Sequence, residues 1–269
     1  MGSALFIVWR ESVEAMLVVG ILHAWLKFNA TGAAGLRALG VGIVCGLGLA
    51  GALGWVMVSA QDELTGEALE WFQTGMLLVA AGLIMQMVLW MRRHGAGLRN
   101  SLHRDLGTAM QRSGLLGIAG VAALAIAREG AETAVFLYGV SLEPGNSANV
   151  VVGAVLGFGL AALTAWALGR GLRFLDYRRF FALSGWMLLC FAVALLVSAV
   201  DRLIGAGLLP ALVDPLWDSA WLLDDSHRLG SLLSALVGYR ARPSLMLVGV
   251  YAAYWLAMLR AMRPERRVA

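Results

Sequence analysis

Charge is scarce in this chain: Asp, Glu, Lys and Arg make up 14% of its 269 residues, against 60% hydrophobic ones. Soluble domains carry about 25% charged residues, so the composition excludes one and indicates an integral membrane protein. Cysteine is nearly missing as well. Cys45 and Cys190 stand in separate apolar segments without Cys-x-x-Cys spacing, which excludes a disulfide framework and a thiolate metal site. Both read as buried packing residues. The N-terminus lacks a basic n-region and a small-residue cleavage site, and its apolar run already holds an Arg-Glu pair. That run reads as a retained span rather than a removable signal peptide. The net charge of +4 does not point to nucleic acid as a partner, because the positive residues gather on no single face or arm. They stand between apolar runs, where they control topology.

Those runs are what the chain has in abundance. A membrane span needs about 20 mostly apolar residues, and seven stretches qualify, at 4–26, 36–60, 70–91, 115–140, 149–169, 180–201 and 244–262. The expected fold is therefore an all-α integral membrane protein, one membrane domain over 1–269 with seven transmembrane helices. Loop charge alternates between them. Lys27 and Arg37 follow the first span, Asp62, Glu63, Glu67 and Glu70 the second, and Arg92, Arg93, Arg99, Arg104 and Arg112 the third. Glu143 follows the fourth, Arg170, Arg173, Arg178 and Arg179 the fifth, and Arg260, Arg263, Arg266 and Arg267 close the chain. The positive-inside rule then puts the N-terminus outside and the C-terminus in the cytoplasm. The stretch 202–243 becomes an extracytoplasmic loop, in which Leu229 to Val237 is too short to span and reads as a short interfacial helix. Asp218, Asp224, Asp225 and His227 in that loop offer an outer capture point for cations, although a solvated face is the plainer reading.

The chain also repeats itself. Gly42, Gly46, Gly48, Leu49, Ala50 and Trp55 recur 111 positions later as Gly153, Gly157, Gly159, Leu160, Ala161 and Trp166. Spans one to three (1–91) and four to six (115–201) read as two copies of one unit. An odd number of spans per copy inverts the second relative to the first, the inverted-repeat arrangement of many transporters, with 244–262 as a seventh helix. The Gly-x-x-x-Gly spacing reads as close helix packing.

Charge inside these runs demands a reason, since intramembrane ionisable residues mark functional sites by default. It occurs twice, as Arg10-Glu11-Ser12-Val13-Glu14 and as Arg128-Glu129-Gly130-Ala131-Glu132, 118 positions on. At about 100° per residue, each motif turns its Arg and both Glu into one wedge of roughly 100°. The first motif falls about 4 to 5 Å outward of its span centre at 1.5 Å per residue and the second a similar distance outward, so they meet at about the same level. Four carboxylates and two guanidinium groups sum to a formal charge of −2, a hard-oxygen set suited to a hard cation. Arginines that merely lock two spans together would need two carboxylates, not four. His23 stands near the opposite face from Glu14 and reads as no ligand, and Met85, Met87 and Met91 read as packing rather than copper handling. No His follows an intramembrane Glu in Glu-x-x-His spacing, which weighs against a membrane di-iron enzyme.

The duplicated motif in the first and fourth of seven spans resembles the oxidase-dependent iron transporter family. That family includes the fungal high-affinity iron permease and the permease of the bacterial tripartite iron-uptake system, and its usual motif is Arg-Glu-Gly-Leu-Glu. This chain keeps Gly130 and departs at Ser12-Val13 and Ala131. The likeness runs over essentially the whole chain, including Leu216-Trp217-Asp218, Gly238-Tyr239 and Pro243-Ser244. The acidic tail of fungal members is absent, which favours a bacterial inner membrane. The resemblance implies a permease rather than an enzyme, importing Fe(III) with Glu11, Glu14, Glu129 and Glu132 as ligands and Arg10 and Arg128 as supports. It implies Fe(III) as substrate with no prosthetic group, and an extracytoplasmic ferroxidase or iron-binding partner beside the lipid bilayer. A homo-oligomer is left open. The alternatives are another cation such as lead or manganese, an exporter on the same scaffold, or a sensor subunit that binds metal without flux.

Overall fold

The structure, a computed structural model, describes residues 2–29, 31–94, 98–142, 147–169, 177–221, 223–224 and 227–262. Among these there is no strand, and the helices run in the order α1 (Gly2–Phe28), α2 (Gly32–Glu63), α3 (Glu67–His94), α4 (Leu98–Ser141), α5 (Ser147–Gly169), α6 (Tyr177–Gly205), α7 (Arg228–Val237) and α8 (Leu245–Ala261). Six of the apolar runs lie inside one helix each. The run 244–262 is α8 with its two caps, of which Ser244 accepts the Leu247 N–H. The short helix expected at Leu229 to Val237 is α7, which ends where Gly238, at φ 73°, supplies the left-handed residue that a helix terminus favours.

Five segments are long and apolar enough to cross a membrane: Gly32–Glu63, Glu67–Arg93, Ser101–Ser141, Ala148–Ala167 and Ala182–Gly205. Helix α1 has 27 residues, which reach about 40 Å at 1.5 Å per residue, and carries Arg10, Glu11 and Glu14 in its first half. Helix α8 is apolar with 17 residues. The outward faces of α2 and α5 are lined by uncovered apolar side chains, among them Val44, Leu47, Val155 and Leu163. Faces of this kind are stable against hydrocarbon and not against water. The chain is an integral membrane protein.

Two expectations need correction. Cys45 is exposed and Cys190 half-buried, and neither forms a disulfide. The packed face of α2 is the row Gly35, Leu39, Gly42, Gly46 and Ala50, and Cys45 stands beside that row and turns outward. The second concerns the basic stretch ahead of the fourth span, read as a loop. It is helical from Leu98, and only Gly114 interrupts α4, at φ 58° and ψ −133°, a conformation that glycine alone adopts readily. Leu102 and Leu106 are buried one turn apart while Arg104, Asp105 and Arg112 are exposed. The apolar period of this segment is short, and its charge obscures it.

The described chain divides into two compact units. The first holds Met1–Thr65 and Arg93–Ala182, hence α1, α2, α4 and α5. Within it α2 packs on α4, α5 on α1, and α1 on α4. Glycines make the closest approaches. A Cβ at Gly46 would come within 2.7 Å of the Ala123 carbonyl oxygen and also strike Ile126 and Ala127; one at Gly157 would overlap the Leu5 carbonyl oxygen and strike Val8 and Trp9. The residues met at Gly157 stand 118 positions before those met at Gly46, residue for residue. Trp9 Nε1 also donates to Thr164 Oγ1 at 3.1 Å, tying α1 to α5.

Beyond the charged motif, α1 carries Val18, Leu22 and Leu26 at four-residue intervals from Glu14. Leu39 of α2 and Ile118 and Ala122 of α4 surround them, and Leu102 and Leu106 of the leading segment complete the cluster. The segment folds back tightly enough that a Cβ at Gly117 would overlap the Ala109 carbonyl. The charged residues of α1 are thus followed, on the same face, by a dry apolar column.

The second unit holds Gly66–Arg92 and Leu183–Ala269, hence most of α3 and α6 with α7 and α8. Helix α6 is its buried member, with Leu188, Leu189, Ala192, Val193 and Leu195 nearly inaccessible. Tyr254 of α8 donates to the Leu189 carbonyl at 2.7 Å, and Arg202 of α6 donates to Gln73 of α3 at 2.7 Å.

Candidate functional site

Both charged motifs lie in the first unit, on α1 and α4, which pack against each other. On α1, Arg10 donates through Nη1 to Glu11 Oε1 at 2.7 Å and through Nη2 to Glu14 Oε1 at 2.6 Å. All three side chains are withdrawn from solvent, with Arg10 and Glu11 at 1% exposure. Charge at this depth is tolerated because each guanidinium bond is charge-assisted and short. On α4, Arg128 Nε donates to Glu132 Oε1 at 3.0 Å, and the Arg128 side chain is 48% exposed.

Packing then brings carboxylates of the two helices together. One oxygen each from Glu11, Glu14 and Glu129 lie within 4.8 Å of one another, the only such group of His, Cys, Asp or Glu among the described residues. Glu132 stands outside this set of three, held by Arg128. Among the described residues, Glu11 Oε2, Glu129 Oε2 and Glu132 Oε2 are buried with no hydrogen-bond partner. Buried acceptors without donors are strongly unfavourable, and two of these oxygens belong to Glu11 and Glu129 of the three-carboxylate group.

Sequence reasoning assigned Gly130 no role, and the structure gives it one. A Cβ there would come within 2.5 Å of Ala50 Cβ, so glycine at the centre of the second motif lets α2 close onto α4. The signal was present in the repeat, where Ala50 and Ala161 recur as small residues at matching positions. A second missed pair is Tyr138 of α4, which donates to Gln61 of α2 at 2.5 Å. Nothing in the sequence marks it.

The outer residues sit in the second unit and are largely engaged elsewhere. Asp218 accepts the Ala220 N–H at 2.9 Å and pairs with Arg242 at 2.9 Å. The Ala220 N–H, and then Arg242, hold its carboxyl below the usual carboxylate range. Asp224, half-buried, and His227, uncovered, approach to 3.8 Å, and Asp225 lies outside the described residues. His23 is exposed, away from the three carboxylates.

A family model described as the iron permease FTR1 family matches residues 1–264. The chain is similar to a protein of Yersinia pestis named ferrous iron permease EfeU, 29% identical over 266 residues, covering 98% of this chain and 94% of that one. It is likewise similar to the protein of that name in an Escherichia coli O6:K15:H31 strain, 26% identical over 255 residues, covering 94% of this chain and 92% of the relative. No solved structure matches it.

Proposed function

We propose that this chain, which belongs to the iron permease FTR1 family, moves iron inward across a bacterial cytoplasmic membrane by alternating access around the carboxylates of α1 and α4. The observation that carries the reading is the meeting of Glu11, Glu14 and Glu129 oxygens within 4.8 Å of one another in the membrane-embedded part of two packed helices. Oxygen ligands of this kind select hard cations, and the buried, unpartnered Glu11 Oε2 and Glu129 Oε2 lack what such a cation supplies. In this reading Glu11, Glu14, Glu129 and Glu132 are the ligands, Arg10 and Arg128 the counter-charges, and Fe(III) the transported ion, with no prosthetic group.

The seven spans are α1 to α6 and α8, with the N-terminus outside, and 1–91 and 115–201 are inverted copies. The matched contacts at Gly46 and Gly157 support the copies. The dry column below Glu14 would close the inner side of the site. An extracytoplasmic ferroxidase or iron-binding protein delivers the ion.

A second reading, Fe(II), has its own support. Glu11, Glu14 and Glu129 with Arg10 carry a formal charge of −2 without Glu132, and both relatives are named ferrous permeases. Anomalous scattering from iron-loaded full-length protein tests the site itself. The expected peak lies among Glu11, Glu14 and Glu129. Iron bound only elsewhere, with Glu14→Ala retaining full binding, would overturn the assignment.

A further inference from the structure

The two motifs share one spacing and differ in how their arginines are held. Arg10 is 1% exposed and clamps both glutamates of its own motif at 2.7 and 2.6 Å. Removing it would strand two carboxylates in a dry interior, so it is a fixture. Arg128 is 48% exposed and reaches Glu132 through Nε at 3.0 Å. At the depth that the proposed reading gives it, an uncovered guanidinium would face water rather than lipid, and its half-uncovered pair with Glu132 is better screened, hence cheaper to open, than the enclosed pairs of Arg10. Glu132 meanwhile keeps a second oxygen, Oε2, buried and unpartnered.

We infer that Arg128 is a resident cation that a metal ion displaces, and that ion charge decides whether Glu132 joins the ligand set. This rests on the reading of the three carboxylates as the ion site. With Arg128 on Glu132, the site comprises Glu11, Glu14, Glu129 and the fixed Arg10, formally −2, which balances a divalent ion. When Arg128 swings toward water, Glu132 adds its charge and the site becomes −3, which balances a trivalent ion. A divalent ion gains little from breaking the Arg128–Glu132 pair. A trivalent ion is bound only partly neutralised until it does. Arg128 is thus a positioning residue for selectivity by charge, a role Arg10 is too deeply clamped to take.

The test is direct binding to full-length purified protein, with gallium(III) citrate as a redox-inert trivalent probe and manganese(II) as the divalent one. Wild type, Arg128→Gln, Arg128→Lys, Glu132→Gln and Glu14→Ala are compared. The account expects Glu132→Gln to weaken gallium about tenfold or more, on the scale of one unscreened charge, while manganese binding shifts by less than about threefold. Arg128→Gln should move the trivalent-to-divalent affinity ratio the other way, and Arg128→Lys should restore it toward wild type. Equal effects of Glu132→Gln on both ions, or an unchanged ratio in Arg128→Gln, would overturn the inference while leaving the ion site intact. Glu14→Ala separates the two claims, because full binding of both ions in that variant removes the site reading itself, and this inference with it. Should Arg128→Gln fail to fold, Glu132→Gln alone still decides.

Discussion

Arg10 is the residue on which the site's stability turns. Its guanidinium is enclosed with two carboxylates at 2.6 to 2.7 Å, and deleting one partner of a buried ion pair typically costs about 3–5 kcal/mol, because the remaining charges are left uncompensated. Arg10→Ala should therefore lower the thermal midpoint of the detergent-purified protein sharply. Arg128→Ala, whose side chain is half uncovered, should lower it less, because solvent screens that pair. Equal losses would show that the two arginines are held alike. The residues of both motifs were legible in the sequence, because charge in an apolar run stands out at once and a shared spacing puts each set on one face. Their inequality was not. Burial of Arg10 and exposure of Arg128 depend on which neighbouring helices cover each motif, and a five-residue pattern carries no record of that. The same holds for Glu132, which the repeat makes equivalent to Glu14 and the structure places with Arg128 instead.

Among elements, the packing of α2 on α4 and of α5 on α1 depends on backbone approach. Gly46 and Gly157 each face a carbonyl oxygen at less than a side chain's clearance. Gly46→Val and Gly157→Val should each destabilise the protein by about 1–3 kcal/mol through overpacking, and by similar amounts, because they meet matched residues 118 positions apart. A loss at one and none at the other would argue against two equivalent copies. Gly114 allows a different check. Its backbone, at φ 58° and ψ −133°, strains any other residue, by about 1–3 kcal/mol. Gly114→Ala should loosen the leading segment and speed hydrogen exchange at Leu102 and Leu106, whereas unchanged protection there would contradict the packed hairpin. The long helices were readable from their apolar runs, and the glycine spacing announced close packing. The leading segment escaped because its buried side, Leu102 and Leu106, is only two residues set among Arg104, Asp105 and Arg112. Charge counting assigned it to a loop.

At the scale of the molecule, the membrane-embedded character follows from composition, and the apolar faces of α2 and α5 agree with it. Membership of an iron permease family extends over residues 1–264, a range that includes the carboxylates of α1 and α4. On the proposed reading, the apolar column of Val18, Leu22 and Leu26 is what a transport cycle would have to open, since those side chains offer an ion leaving Glu14 no oxygen. The central claim is that the carboxylates contributed by α1 and α4 bind the ion that is carried. Radio-iron uptake into proteoliposomes holding the purified full chain tests it most directly, with wild type, Glu14→Ala and Glu129→Ala compared at equal amounts of folded protein. The account predicts saturable uptake by wild type and a loss of about a hundredfold or more in each variant, since changing even an outer-shell partner of a metal ligand costs about 10–100-fold. Uptake at the wild-type rate in both variants would contradict it.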